Sequence, residues 1–76
     1  MSITIYSTPT CGHCRAAKEW FKEKSIVYEE IDVSRDRIKA EEMIQKSGQM
    51  SVPVIEIDGK LLVGFDAGEV SKALGI

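Results

Sequence analysis

The sequence lacks any apolar run approaching the roughly 20 residues that span a bilayer. Its opening, "MSITIYS", is too short and too polar to read as a secretory leader. It also lacks an excess of either charge: ten Lys and Arg stand against twelve Asp and Glu, for a formal net charge of −2. Nucleic-acid binders usually show a basic patch or stripe, and that balance gives no case for one. Low-complexity segments, internal repeats and linkers are missing. With 43% hydrophobic and 29% charged residues, the composition is that of an ordinary globular chain, not a disordered one. Cysteine, proline and histidine are scarce, at two, two and one residues. Two cysteines do not make the framework of a disulfide-stapled miniprotein. Nor do they supply the four ligands of a structural zinc site, so no metal site within one chain is expected. Seventy-six residues allow one domain, 1–76, with a modest core. With no targeting segment, the expected compartment is the cytoplasm.

What little soft chemistry there is falls in one place. "TPTCGHCRAA", Thr8 to Ala17, holds both cysteines, the histidine and one proline. Cytosolic thiols are mostly kept reduced, and disulfides there tend to be catalytic or redox-sensing. A Cys11–Cys14 bond would close only a tiny loop, and short loops give the least stabilisation in the chain-entropy picture. A structural staple therefore explains the pair poorly. Two uses of the C-x-x-C remain: a redox dithiol, or ligands to a metal or iron–sulfur cluster bridging two chains.

The flanking pattern places the motif. "ITIYS", Ile3 to Ser7, alternates and is rich in β-branched residues, as a strand does. From His13 to about Lys24, Cys14, Ala17 and Phe21 recur at helical spacing beside Trp20, with charged residues between them. "SIVYEEIDVS", Ser25 to Ser34, reads as a second strand at an edge. Ser34 is placed to cap a second helix over Arg35 to Ser47, burying Ile38, Met43 and Ile44 and stopped by Gly48. Asp58-Gly59 between two apolar runs predicts a hairpin. Asp66 and Glu69 resemble a capping box for a last helix, Asp66 to Ala73, with Val70, Ala73 and Leu74 inward. The order is β-α-β-α-β-β-α. A helical crossover makes the first two strands parallel and the hairpin makes the last two antiparallel, giving a mixed four-stranded α/β sheet flanked by three helices.

In this arrangement Cys11 lies after a strand and at the start of a helix. Its sulfur faces unsatisfied backbone N–H groups and the positive end of the helix dipole, which favour the thiolate. Cys14 follows one turn inside, close enough to form a bond and expected to be the more buried of the two. Arg15 and Lys18 add positive charge on the face of Cys11 or are solvated helix surface. His13, at the exposed tip, modulates thiolate stability and potential. It predicts a couple less reducing than thioredoxin's, roughly −270 mV. Trp20, Phe21, Ile44 and Leu74 are expected in the core. Tyr6 either packs under the sheet or flanks a substrate groove. A C-x-x-C near a βαβ pattern in a cytosolic chain points to a thioredoxin-like redox motif.

"YSTPTCGHCRAAK", "SVPV" and "GFD" resemble the glutaredoxin family, especially its small glutaredoxin-like members, in an order and spacing that cover essentially the whole chain. The resemblance implies the thioredoxin fold. It implies that Pro53 is cis and faces the dithiol. It implies that the Val52 backbone pairs with an extended substrate or with glutathione. It further implies thiol–disulfide exchange on protein or glutathione-containing disulfides, with Cys11 as nucleophile and Cys14 as resolving thiol. No tightly bound cofactor is expected, and the chain is expected to be a monomer.

The electron donor is left open between two patterns. Glutathione-using members often carry a lysine shortly before the first cysteine, where this chain has Thr8 and Pro9. Gly64 and Asp66 match their last loop, and Asp66 is placed to meet the glutathione γ-glutamyl end; Phe65 and Ala67 depart from it. Gly64-Phe65 is similar to the glutaredoxin-like hydrogen donors of ribonucleotide reductase, which take electrons from a thioredoxin reductase-type flavoenzyme. Phe65 is also a candidate apolar contact for a partner. Gly12-His13 departs from the Pro-Tyr pair common in glutaredoxins and resembles that of protein disulfide isomerases.

Overall fold

A computed structural model describes residues 2–76. The order is β1 (Ile3–Ser7), α1 (Gly12–Glu23), β2 (Glu29–Asp32), α2 (Arg37–Ser47), β3 (Val54–Ile57), β4 (Lys60–Val63) and α3 (Ala67–Leu74). The four strands form one sheet in the order β2-β1-β3-β4. β1 and β2 run parallel, while β1–β3 and β3–β4 are antiparallel. This is the mixed sheet and element order expected from the sequence.

The strand period of two divides the core. Ile3 and Ile5 of β1 stand opposite Ile57 and Ile55 of β3. All four side chains face a cluster built with Ala17 and Phe21 of α1 and Val70 and Leu74 of α3. Tyr6 and Val54 point the other way and pack with Met43 of α2. α1 is held by packing: Cys14, Ala17 and Phe21, at helical spacing, are all fully buried. Burying a side chain such as Phe21 contributes roughly 1.5–3 kcal/mol. Tyr6 packs under α2, and its hydroxyl lies 3.4 Å from Lys46 Nζ. It belongs to the second core cluster, so packing is its role here.

Turns follow from backbone chemistry. Asp58 and Gly59 both take positive φ, 48° and 87°, as the β3–β4 hairpin requires. α1 ends in a Schellman motif: the Ile26 N–H reaches Phe21 O at 2.8 Å and the Ser25 N–H reaches Lys22 O at 3.1 Å. Ser25 occupies the left-handed position, φ 58°, that glycine usually takes.

Three expectations are corrected. The second strand is only Glu29–Asp32, because the Schellman turn takes up Ser25 and Ile26 and Val27 is left exposed. Ser34 does not cap α2. Its N–H and hydroxyl are both held by Asp32 Oδ1 in a turn, and Asp36 is the cap, accepting from the Lys39 N–H at 3.0 Å. Ile38 is 76% exposed. At about 100° per residue it sits well over a quarter turn from both Met43 and Ile44, so it cannot share their face.

Candidate active site

α1 begins on a cysteine. Cys11 is its N-cap, in extended conformation, and its Sγ accepts the Cys14 N–H at 3.1 Å. Side-chain oxygens usually do this work; here a sulfur takes one of the orphan N–H groups of the helix start. Cys11 is half-buried, and its thiol also lies 3.8 Å from Val52 O, to which an S–H donates weakly. Cys14 is fully buried, and both cysteines are free thiols. Burial, reinforced by the neighbouring Cys11 sulfur, pushes the Cys14 thiol up to about 12. The Thr8 backbone N–H and the Lys18 charge pull it down without prevailing. One thiol is thus presented and the other withheld.

A loop from across the sheet closes against the Cys11 sulfur. The Val52–Pro53 bond is cis. Val52 is half-buried and Pro53 buried. Pro53 O accepts the Gly64 N–H at 2.8 Å, tying this loop to the start of the segment before α3. Gly64 has φ 83°, a conformation that favours glycine. Cys11, Val52, Pro53 and Gly64 are therefore linked by direct contacts. Phe65 is half-buried against Trp20, ring centroids 6.2 Å apart, and so packs on the core. Asp66 caps α3 through Oδ1, which accepts from the Gly68 and Glu69 N–H groups at 2.9 and 3.2 Å.

The charged residues separate. His13 and Arg15 are exposed, and neither has an ion-pair partner among the described residues. Lys18 is not free surface: its Nζ meets Glu30 Oε2 at 2.8 Å. That hydrogen bond raises the Lys18 pKa and lowers that of Glu30. Glu30 and the buried Ser7, which donates to it at 3.1 Å, are site neighbours that the sequence pattern did not single out. They meet only through the β1–β2 register. Among the described residues, no three His, Cys, Asp or Glu side chains are grouped to hold one metal ion, and no helix is long and apolar enough to cross a membrane.

The glutaredoxin family model matches residues 3–62. The chain belongs to the glutaredoxin family. An uncharacterised glutaredoxin-like 8.6 kDa protein of the rubredoxin operon of Clostridium pasteurianum is 46% identical over 72 residues, covering 95% of this chain and 96% of its own. Glutaredoxin 3 of Escherichia coli K12 is 35% identical over 65 residues, 86% and 78% of the two chains. The glutaredoxin-like protein NrdH of Lactococcus lactis strain IL1403 is 31% identical over 70 residues, 92% and 96%. The crystal structure of a mutant thioredoxin-like protein superposes with TM-score 0.92 at 31% identity, covering 99% of this chain and 96% of that one. The fold is the thioredoxin fold, and the glutaredoxin-family chemistry of this chain is that of a thiol–disulfide oxidoreductase.

Proposed function

We propose that the protein reduces protein disulfides or glutathione-containing disulfides, with Cys11 as nucleophile and Cys14 as resolving thiol. The observation that carries this reading is the asymmetry of the pair. Cys11 is accessible and its sulfur accepts a helix N–H, whereas Cys14 is fully buried and held as a neutral thiol. Cys11 thiolate attacks one sulfur of the substrate disulfide. A Cys11–substrate S–S bond forms and the other substrate sulfur leaves with the electron pair. Two influences that hold the proton on Cys14, the hydrogen bond and the charge of Cys11, are then removed. Cys14 attacks Cys11, the intramolecular disulfide forms, and the second substrate sulfur leaves as a thiol.

The Val52 backbone beside Cys11 supports main-chain pairing with an extended substrate segment. Gly64, Phe65 and Asp66 would shape the far side of that site. Asp66 would present to a glutathione γ-glutamyl group the carboxylate oxygen not used in capping. Electrons return from glutathione or from a thioredoxin reductase-type flavoenzyme; relatives named glutaredoxin and NrdH support both. The protein works as a monomer in the cytoplasm, where a dithiol is kept reduced. It carries no tightly bound cofactor, and His13 sets a potential above thioredoxin's roughly −270 mV. The buried Cys14 favours exchange over a cluster that takes both cysteines of each of two chains as ligands, because that would need the Cys14 sulfur exposed.

Trapping tests the assignment. Cys14→Ser should accumulate a mixed disulfide with a disulfide peptide, and Cys11→Ser should not react. The opposite pattern overturns it. Turnover with glutathione and with the flavoenzyme, compared side by side, identifies the donor. A colourless protein after anaerobic purification favours the enzyme reading, and a cluster spectrum overturns it.

A further inference from the structure

Lys18, Glu30 and Ser7 have no part in the exchange above, yet they gather on the sheet face that α1 covers. α1 carries Cys14 and Lys18 one turn apart on the same side. Parallel pairing sets Glu30 opposite Ile5 and Asp32 opposite Ser7. Glu30 Oε2 thereby receives both the Lys18 ammonium at 2.8 Å and the Ser7 hydroxyl at 3.1 Å. Ser7 is 1% exposed, so its hydroxyl donates inside the protein, and Glu30 is its acceptor. The ammonium is therefore moored from the strand side, on the helix face that carries the buried thiol one turn earlier.

Building on the assignment of Cys14 as resolving thiol, we propose that Lys18 is a positioning residue for the resolving step. Its ammonium, held by Glu30, which Ser7 holds in turn, supplies the positive charge against which Cys14 becomes a thiolate once Cys11 is bound to substrate. The groups facing this pair are few. Cys14 meets Cys11, the cap of its own helix, the Thr8 backbone just after β1, and Lys18. Lys18 meets Glu30 of β2 and Tyr28, the residue just before that strand. Glu30 meets Ser7, Lys18 and Asp32, and Asp32 is in turn held by Ser34 and Arg35. Glu30 acts in two opposed ways: it fixes the ammonium in place and offsets part of its field. A charge near a dry thiol acts through a lower effective dielectric than one near an exposed sulfur, so Lys18 bears more on Cys14 than on Cys11. In the step itself the Cys11–substrate S–S bond breaks and the Cys11–Cys14 bond forms. The electron pair leaves with the substrate sulfur, and the proton given up by Cys14 ends on that sulfur.

A symmetric aromatic disulfide separates the two steps in stopped flow. One equivalent of coloured thiol is released when Cys11 attacks, and a second when Cys14 resolves. Lys18→Met should slow the second phase roughly threefold to tenfold at pH 7 and move its pH midpoint up by about half to one pH unit. Any change in the first phase should be smaller. Lys18→Arg should restore the second phase. Glu30→Gln keeps an acceptor oxygen for the ammonium and removes the opposing charge, so it should move the midpoint down and speed the second phase. A wild-type midpoint in Lys18→Met overturns the proposal. So does a slowed, upshifted second phase in Glu30→Gln, which would make the carboxylate the proton acceptor. Release of the second equivalent at the wild-type rate by Cys14→Ser would instead defeat the assignment of Cys14 on which the proposal rests.

Discussion

α1 and α2 begin and end by different means. α2 starts on the Asp36 carboxylate and ends on Gly48, in left-handed conformation at φ 72° with its N–H on Ile44 O at 2.7 Å. α1 starts on a thiol and places Ser25 where a glycine would be at ease. The packing is the reverse. α1 buries three side chains completely, whereas α2 fully buries only Met43 and leans on Lys46, which reaches Glu56 at 3.1 Å. The helix with weak caps is the one with the strong interior. Packing holds α1 in place, which leaves its first residue available for chemistry.

That contrast can be broken at four points, in order of expected effect. Cys11→Ser replaces the sulfur cap by one of the best N-cap residues. Turnover of a model disulfide should be abolished while the melting temperature holds or rises; a melting temperature several degrees lower would show that the sulfur itself stabilises α1. Next is the buried thiol. The unfolded chain loses the Cys14 proton near 9.0 and the folded chain at about 12. Across that window the folded state binds more protons, so stability falls as pH rises. Chemical denaturation of the reduced protein should show an alkaline loss on the order of a few kcal/mol that is missing in Cys14→Ala. Asp36→Ala removes the cap that α2 depends on. It should cost about 1 kcal/mol and lower the melting temperature by about 4–8 °C, with turnover unchanged. Ser25→Gly relieves the left-handed serine and should stabilise by roughly 0.5 kcal/mol, near the limit of thermal melts. A loss there would mean that the serine side chain matters to the turn.

The same contrast marks where the sequence was readable. Cys14, Ala17 and Phe21 reveal α1 because its packing is written as periodicity, and Asp58-Gly59 reveals the hairpin because only certain residues accept positive φ. α2 was harder. Two hydrogen-bonding residues, Ser34 and Asp36, compete for the cap, and the choice depends on Asp32 claiming Ser34 first. Ile38 looked like part of an apolar face because a weakly buried helix has a weak pattern. In the site, the two cysteines and their asymmetry follow from strand, motif and helix in succession. The approach of Val52 and Gly64 does not, because it joins segments far apart in the chain. That part came from family likeness. Ser7, Glu30 and Lys18 were invisible as a group. Ser7 and Glu30 are separated by 23 positions and meet through a strand register that no local pattern specifies.

The bond from the Cys14 amide to the Cys11 sulfur gives the protein an internal reporter. When that sulfur gains a covalent partner it can no longer ionise and becomes a poorer acceptor. The first turn of α1 is then free to open. Deuterium should therefore enter the Cys14 amide more quickly in the mixed-disulfide form than in the reduced form, while the amide of Phe21, deep in the same helix, keeps its pace. A single backbone proton thus records, turn by turn, whether the enzyme is loaded or waiting.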